Sequence, residues 1–110
     1  MSTKRRSISA ITILTLSCFY TFPVSAAEVT VSLQNKLFQP AEMKVPKGTV
    51  IKFQNDDTVA HNVVGKIGDD KFDLGLMKPG ESKSQTFAKS GDAAIACDLH
   101  PRMKFTVSVE

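Results

Sequence analysis

Two short segments of this chain hold the side chains best suited to binding a soft metal ion. The sequence contains only two histidines. Both, together with Cys97, fall in Val59-Ala60-His61-Asn62-Val63 and Cys97-Asp98-Leu99-His100-Pro101-Arg102-Met103. The second segment reads C-x-x-H-x-x-M, so one tight loop supplies a thiol, an imidazole and a thioether. A distant imidazole, His61, completes a His₂Cys set with a weak axial methionine, the donor set of a type 1 copper centre. Soft sulfur suits Cu(I), while the imidazoles also satisfy Cu(II). A site between the two preferred geometries therefore rearranges little when one electron moves. His61, Cys97, His100 and Met103 are the candidate ligands, and one copper ion is the expected cofactor.

Each of these residues has a plainer reading when taken alone. His61 could be an ordinary, partly buried histidine. Cys97 could be a small buried apolar residue or a dimerising thiol. Met103 could be simple core, which is the reading for Met43 and Met77. Their shared spacing makes the ligand reading the stronger one. Zinc is the competing metal, but a structural zinc site takes four Cys or His ligands and three such residues are on hand.

The elements that carry these segments follow a leader. Lys4, Arg5 and Arg6 precede an apolar run from Ala10 to Phe22, then Pro23 and small residues, as in a secretory signal peptide. Cleavage fits after Ala26 or after Ala27, so the signal is read as residues 1–26 and the domain as 27–110. The run is shorter than the ~20 residues needed to span a bilayer, so no stable membrane insertion is expected. A lipoprotein signal acylated at Cys18 fits less well, because the residues after it stay apolar.

Three of the 14 basic residues leave with the signal and all 11 acidic residues stay, so the mature chain has 11 of each. Its formal charge is zero, and the basic character of the full sequence is no sign of nucleic-acid binding. At this length a core is near its lower limit of self-sufficiency, and a metal or disulfide often supplements it. No disulfide can form within the mature chain, because Cys97 is its single cysteine. A lone cysteine in an oxidising compartment points to intermolecular pairing, a reactive thiol or a ligand.

From Val29 onward, Gly, Pro, Asn or Asp punctuates the chain every eight to twelve residues, between short runs rich in Val, Phe, Ile and Thr. That spacing favours an all-β sandwich or barrel. Val29, Val31 and Leu33 alternate with polar residues as a half-buried strand. Phe38 and Pro40 lead into a second strand at Met43 and Val45, and Val50 to Phe53 form a third. His61–Val64, Phe72–Met77, Ser82–Phe87, Ala93–Ala96 and Phe105–Val109 complete the set. The ligand loop is thus braced between two strands. Lys66–Asp73, with its mixed charges, reads as a solvated loop.

The chain also resembles the cupredoxins. Phe38-x-Pro40, Val45-Pro46-Lys47-Gly48-Thr49-Val50-Ile51-Lys52-Phe53-x-Asn55 and His61-Asn62-Val63 carry the resemblance. It continues through Met77-x-Pro79-Gly80-Glu81-Ser82, Phe87, Gly91 and Cys97-x-x-His100-x-x-Met103. The short ligand loop is similar to that of the amicyanin type, where plastocyanin and pseudoazurin have longer ones.

The resemblance implies a Greek-key β-sandwich of about seven or eight strands, a periplasmic one-electron carrier and a transient redox partner protein. It also implies that Asn62 ties the two ligand segments together by hydrogen bonds, and that His100 sits in an apolar docking patch flanked by Leu99 and Pro101. A monomer is expected. Ile95 stands where cupredoxins usually have an aromatic, which implies looser packing behind the copper. Asp98 and Arg102 place charges in a loop that is usually uncharged. The alternative function is a copper-tolerance protein without a dedicated redox partner. Extra Met or His clusters for loading Cu(I) would favour that role, and they are absent from the sequence. An enzyme is not expected, because catalytic coppers need further histidines and none remain after His61 and His100.

Overall fold

The computed structural model describes residues 27–110, so the signal expected over 1–26 and its cleavage site lie outside the described residues. Nine strands follow one another: β1 (Glu28–Gln34), β2 (Leu37–Gln39), β3 (Glu42–Val45), β4 (Thr49–Asn55), β5 (His61–Ile67), β6 (Asp70–Met77), β7 (Ser82–Phe87), β8 (Gly91–Ala96) and β9 (Lys104–Val109). No helix forms among the described residues. The strands make a four-stranded sheet in the order β2-β1-β4-β7 and a five-stranded sheet in the order β3-β9-β8-β5-β6. The β1–β4 and β3–β9 pairs are parallel and the others antiparallel.

The two-residue period of the sequence explains which faces meet. Along β4, Thr49, Ile51, Phe53 and Asn55 are buried while Val50, Lys52 and Gln54 are partly exposed. Along β9, Phe105, Val107 and Val109 are buried and Lys104 and Thr106 exposed. Successive side chains leave a strand on opposite faces, so this alternation sends one set into the space between the sheets.

Three aromatics bridge that space near its centre. Phe53 and Phe105 meet edge to face at 6.0 Å, and Phe38 lies 5.7 Å from Phe105 and 6.2 Å from Phe53. Each such side chain contributes roughly 1.5–3 kcal/mol by leaving water. A second edge-to-face pair, Phe72 and Phe87 at 5.9 Å, joins β6 to β7 across the sandwich.

The all-β sandwich expected from the sequence is present, with three differences in detail. Nine strands form where seven or eight were expected, because the segment around Phe38 divides. Leu37–Gln39 pairs with β1 in one sheet, and after Pro40 and Ala41 the chain enters the other sheet as β3 beside β9. Lys66–Asp73 is the tip of the β5–β6 hairpin and no loop. Its charges lie on the exposed positions while Ile67 and Phe72 pack against the core. The packing around Ile95 is also close. Ile95 is buried, and a Cβ added at Gly65 would lie 2.9 Å from its Cγ1 and 2.6 Å from Cζ of Phe72. The absent aromatic is thus compensated by Phe72, reaching in over a glycine from the neighbouring strand.

Candidate metal centre

One end of the sandwich gathers the candidate ligands through strand pairing. The adjacent antiparallel strands β8 and β9 end at the paired residues Ala96 and Lys104, so Cys97–Met103 is a closed hairpin loop. Inside it the Cys97 N–H donates to the Met103 carbonyl at 3.3 Å, and the Met103 N–H donates to the His100 carbonyl at 3.0 Å. These bonds pin both ends of the loop. On the other flank of β8, Val64 pairs with Ala96, which brings the start of β5 and hence His61 alongside Cys97.

The donors converge. The Nδ1 atoms of His61 and His100 lie 3.1 Å apart, and Sγ of Cys97 lies 3.6 Å from Nδ1 of His100 and 3.9 Å from Nδ1 of His61. All three donor atoms fall within 4.8 Å of one another. His61, Cys97 and Met103 are buried, whereas His100 is only partly so. A thiol and two imidazoles, with the buried Met103 on the same loop, form a donor set that fits copper.

Asp57 settles the orientation of His61. Its Oδ2 lies 2.9 Å from Nε2 of His61, which turns Nδ1 of the ring toward His100 and Cys97. The same oxygen accepts the Lys36 N–H at 2.8 Å, and Oδ1 accepts the Thr58 N–H at 2.8 Å. The bond with His61 first, then these two backbone donors, lower the Asp57 carboxyl from 3.8 to about 2. The carboxylate therefore remains charged beside His61 down to strongly acidic conditions.

Asn55 holds the loop that carries Asp57. Its Nδ2 donates to the carbonyls of Val59 at 2.9 Å and Met77 at 3.0 Å, and its Oδ1 accepts the Asp57 N–H at 3.0 Å. Every polar group of this buried side chain is thereby engaged. Asn62 has the bridging role expected for it. Its Oδ1 accepts the Asp98 N–H at 2.7 Å and its Nδ2 donates to Asp98 Oδ2 at 3.3 Å, which joins β5 to the ligand loop. The charge of Asp98 is thus accommodated as a second contact to the same asparagine.

Asp57 is the candidate-site residue that the sequence reading missed. Asn55-Asp56-Asp57 registers there only as a turn. The available signal was its place four residues before His61, within reach of the ring once the loop closes.

Comparison with known proteins agrees with this geometry. The family model for copper binding proteins of the plastocyanin/azurin family matches residues 26–110. The amicyanin of Paracoccus versutus is 28% identical over 96 residues, covering 80% of this chain and 73% of that protein. Among solved structures, a reduced amicyanin variant superposes with a TM-score of 0.71 at 25% identity, covering 80% of this chain and 87% of that one. The copper-containing nitrite reductase of Thermus scotoductus SA-01 superposes with a TM-score of 0.72 at 28% identity over 79% of this chain, which spans just 23% of that longer enzyme. A purple cupredoxin from Nitrosopumilus maritimus, at 21% identity and a TM-score of 0.67, shares the fold. The His-Cys-His-Met cluster is consistent with one copper ion, and this chain belongs to the plastocyanin/azurin family of copper-binding proteins.

Proposed function

We propose that His61, Cys97, His100 and Met103 hold a single copper ion and that the protein carries one electron at a time between partners in the periplasm. The observation that carries this reading is the convergence of the three buried or half-buried donors with His100 alone among them reaching toward solvent. When bound, the copper supplies a Cu(I)/Cu(II) couple.

The chain's residues do the rest. Burial of His61, Cys97 and Met103 excludes water from the donors. The closed loop and Asn62 fix the donor positions independently of the metal, so little rearrangement accompanies a change of charge. Asp57 keeps the His61 ring turned, and His100 stands between the buried donors and the surface. The exposed large apolar side chains of the described residues are Leu37, Val59, Leu76 and Leu99. Leu99 adjoins His100, Leu37 shares a groove with it, Val59 precedes His61 by two residues, and Leu76 pairs with Asn62. Leu99 and Leu37, the two that adjoin His100, give a small apolar contact that suits brief encounters with a redox partner.

The leader at Lys4–Phe22 supports export. No helix among the described residues is long and apolar enough to cross a membrane. The chain's two histidines are both used at this site, which favours a carrier over an enzyme with a second, catalytic copper. The test is genetic and electrochemical together. The copper-loaded protein should give a reversible one-electron wave, and a deletion strain should respire poorly at normal copper. Sensitivity to excess copper with normal respiration would refute the carrier role.

A further inference from the structure

We infer that the redox partner meets this protein at the groove beside His100 with an apolar projection ringed by carboxylates. The inference rests on the carrier reading and concerns what kind of partner it serves. The groove has a volume of about 400 Å³, with His100, Pro101 and Arg102 on one wall and Asn35, Lys36 and Leu37 on the other. Leu37 is 48% exposed and supplies the apolar floor space that a projection would cover. The two charges of the lining, Lys36 and Arg102, are both positive, and neither forms an ion pair among the described residues. Asp98, the acidic residue of the ligand loop, lies outside the groove, held by Asn62 toward the outer face of the five-stranded sheet. Asp57 is engaged with His61 and the backbone.

The backbone adds an independent argument for Lys36. Gln34 pairs with Leu37, and the intervening Asn35 and Lys36 have φ of 56° and 58°, a two-residue hairpin turn with both residues left-handed. Such a turn favours Asn-Gly, and a lysine at its second position holds a strained backbone conformation. The strain is borne at the edge of the groove, with the Lys36 N–H fixed by Asp57. The strained turn thus places an exposed cation in the groove lining.

The mature chain has as many basic as acidic residues, so its overall charge steers nothing at long range. Local charge around the exit histidine then decides which encounters are productive. An anionic face is drawn to the groove, and one bearing cations is repelled at the point where the electron crosses.

The test uses the copper(I) protein and oxidants of opposite charge in stopped flow. Each turnover moves one electron, giving the copper(II) protein and hexacyanoferrate(II) from hexacyanoferrate(III), or cobalt(II) from tris(phenanthroline)cobalt(III). Oxidation by the anion should slow as ionic strength rises, and poly-glutamate should inhibit it. The double variant Lys36→Gly/Arg102→Gln should lose about 10-fold in that rate at low salt, with its visible spectrum unchanged. Because Lys36→Gly relieves the strained turn, this variant should fold at least as well as the wild type. Lys47→Gln, which removes a charge from the far end of β4, should leave the rate alone. Equal effects of Lys47→Gln and the double variant, or no dependence on ionic strength, would overturn the inference. Self-association of the copper-loaded protein that Leu37→Lys abolishes would give the groove to a second copy and would also overturn it. Failure to react with either oxidant would instead refute the carrier reading.

Discussion

Replacing Asp57 by asparagine keeps the size of the side chain and removes the charge behind His61. In the wild type, Oδ2 of Asp57 serves both His61 Nε2 at 2.9 Å and the Lys36 N–H at 2.8 Å. An asparagine oxygen in that position can still accept both bonds, with the bond from the Thr58 N–H to Oδ1 lost, so the ring keeps its orientation but loses a full negative charge from its far side. Partners of this kind, when removed, cost about 10–100-fold in metal affinity. Asp57→Asn should fall at the low end, about 10-fold, and Asp57→Ala, which also frees the ring to turn, at the high end, about 100-fold. The lost charge favoured the more highly charged ion, so Cu(II) affinity should drop more than Cu(I) affinity and the reduction potential should rise. Competition titration with a chelator and voltammetry read the two effects. Unchanged Cu(II) affinity in Asp57→Ala, or a lowered potential in Asp57→Asn, would refute the argument that this carboxylate orients and charges the site.

Other expected outcomes follow from single contacts. In the copper-free protein, Asp57 titrates at about 2 folded against 3.8 unfolded, so its ionisation favours the fold above 3.8 and this contribution is lost as pH falls through about 2. The stability difference between wild type and Asp57→Asn, measured by acid unfolding, should shrink across that window. Asn55→Ala would strip partners from the Val59 and Met77 carbonyls and the Asp57 N–H. It should cost about 2–4 kcal/mol in denaturant unfolding, from the loss of several net hydrogen bonds. Gly65→Ala drives a methyl into Phe72 and Ile95, and the overpacking should cost about 1–3 kcal/mol with copper binding retained.

The candidate ligands were legible as a cluster in the sequence because three of them share a seven-residue loop, whose closure by β8 and β9 follows from the clean alternation of Phe105, Val107 and Val109. The fold class was legible for the same reason, since two-residue periodicity with regular turns admits few architectures. What escaped notice depends on tertiary partners. Leu37–Gln39 is too short to show a period and is a strand only because β1 offers an edge. The β5–β6 tip looks like a loop because charges fill its outer positions, while Ile67 and Phe72 face the core. Asp57 is one carboxylate in a polar turn until the closing of that turn, held by Asn55, sets it against a ligand. The compensation at Ile95 needed the pairing of Gly65 with Phe72, a relation between two strands that neither strand's sequence displays.

The central claim is that Cys97 binds copper as part of a type 1 site, and its most direct test is the visible spectrum of the purified mature protein on adding Cu(II). The account predicts an intense thiolate-to-copper absorption that appears with one equivalent of copper and disappears in Cys97→Ser, with much weakened binding. No such band in the wild type, together with undiminished copper affinity in Cys97→Ser, would contradict it.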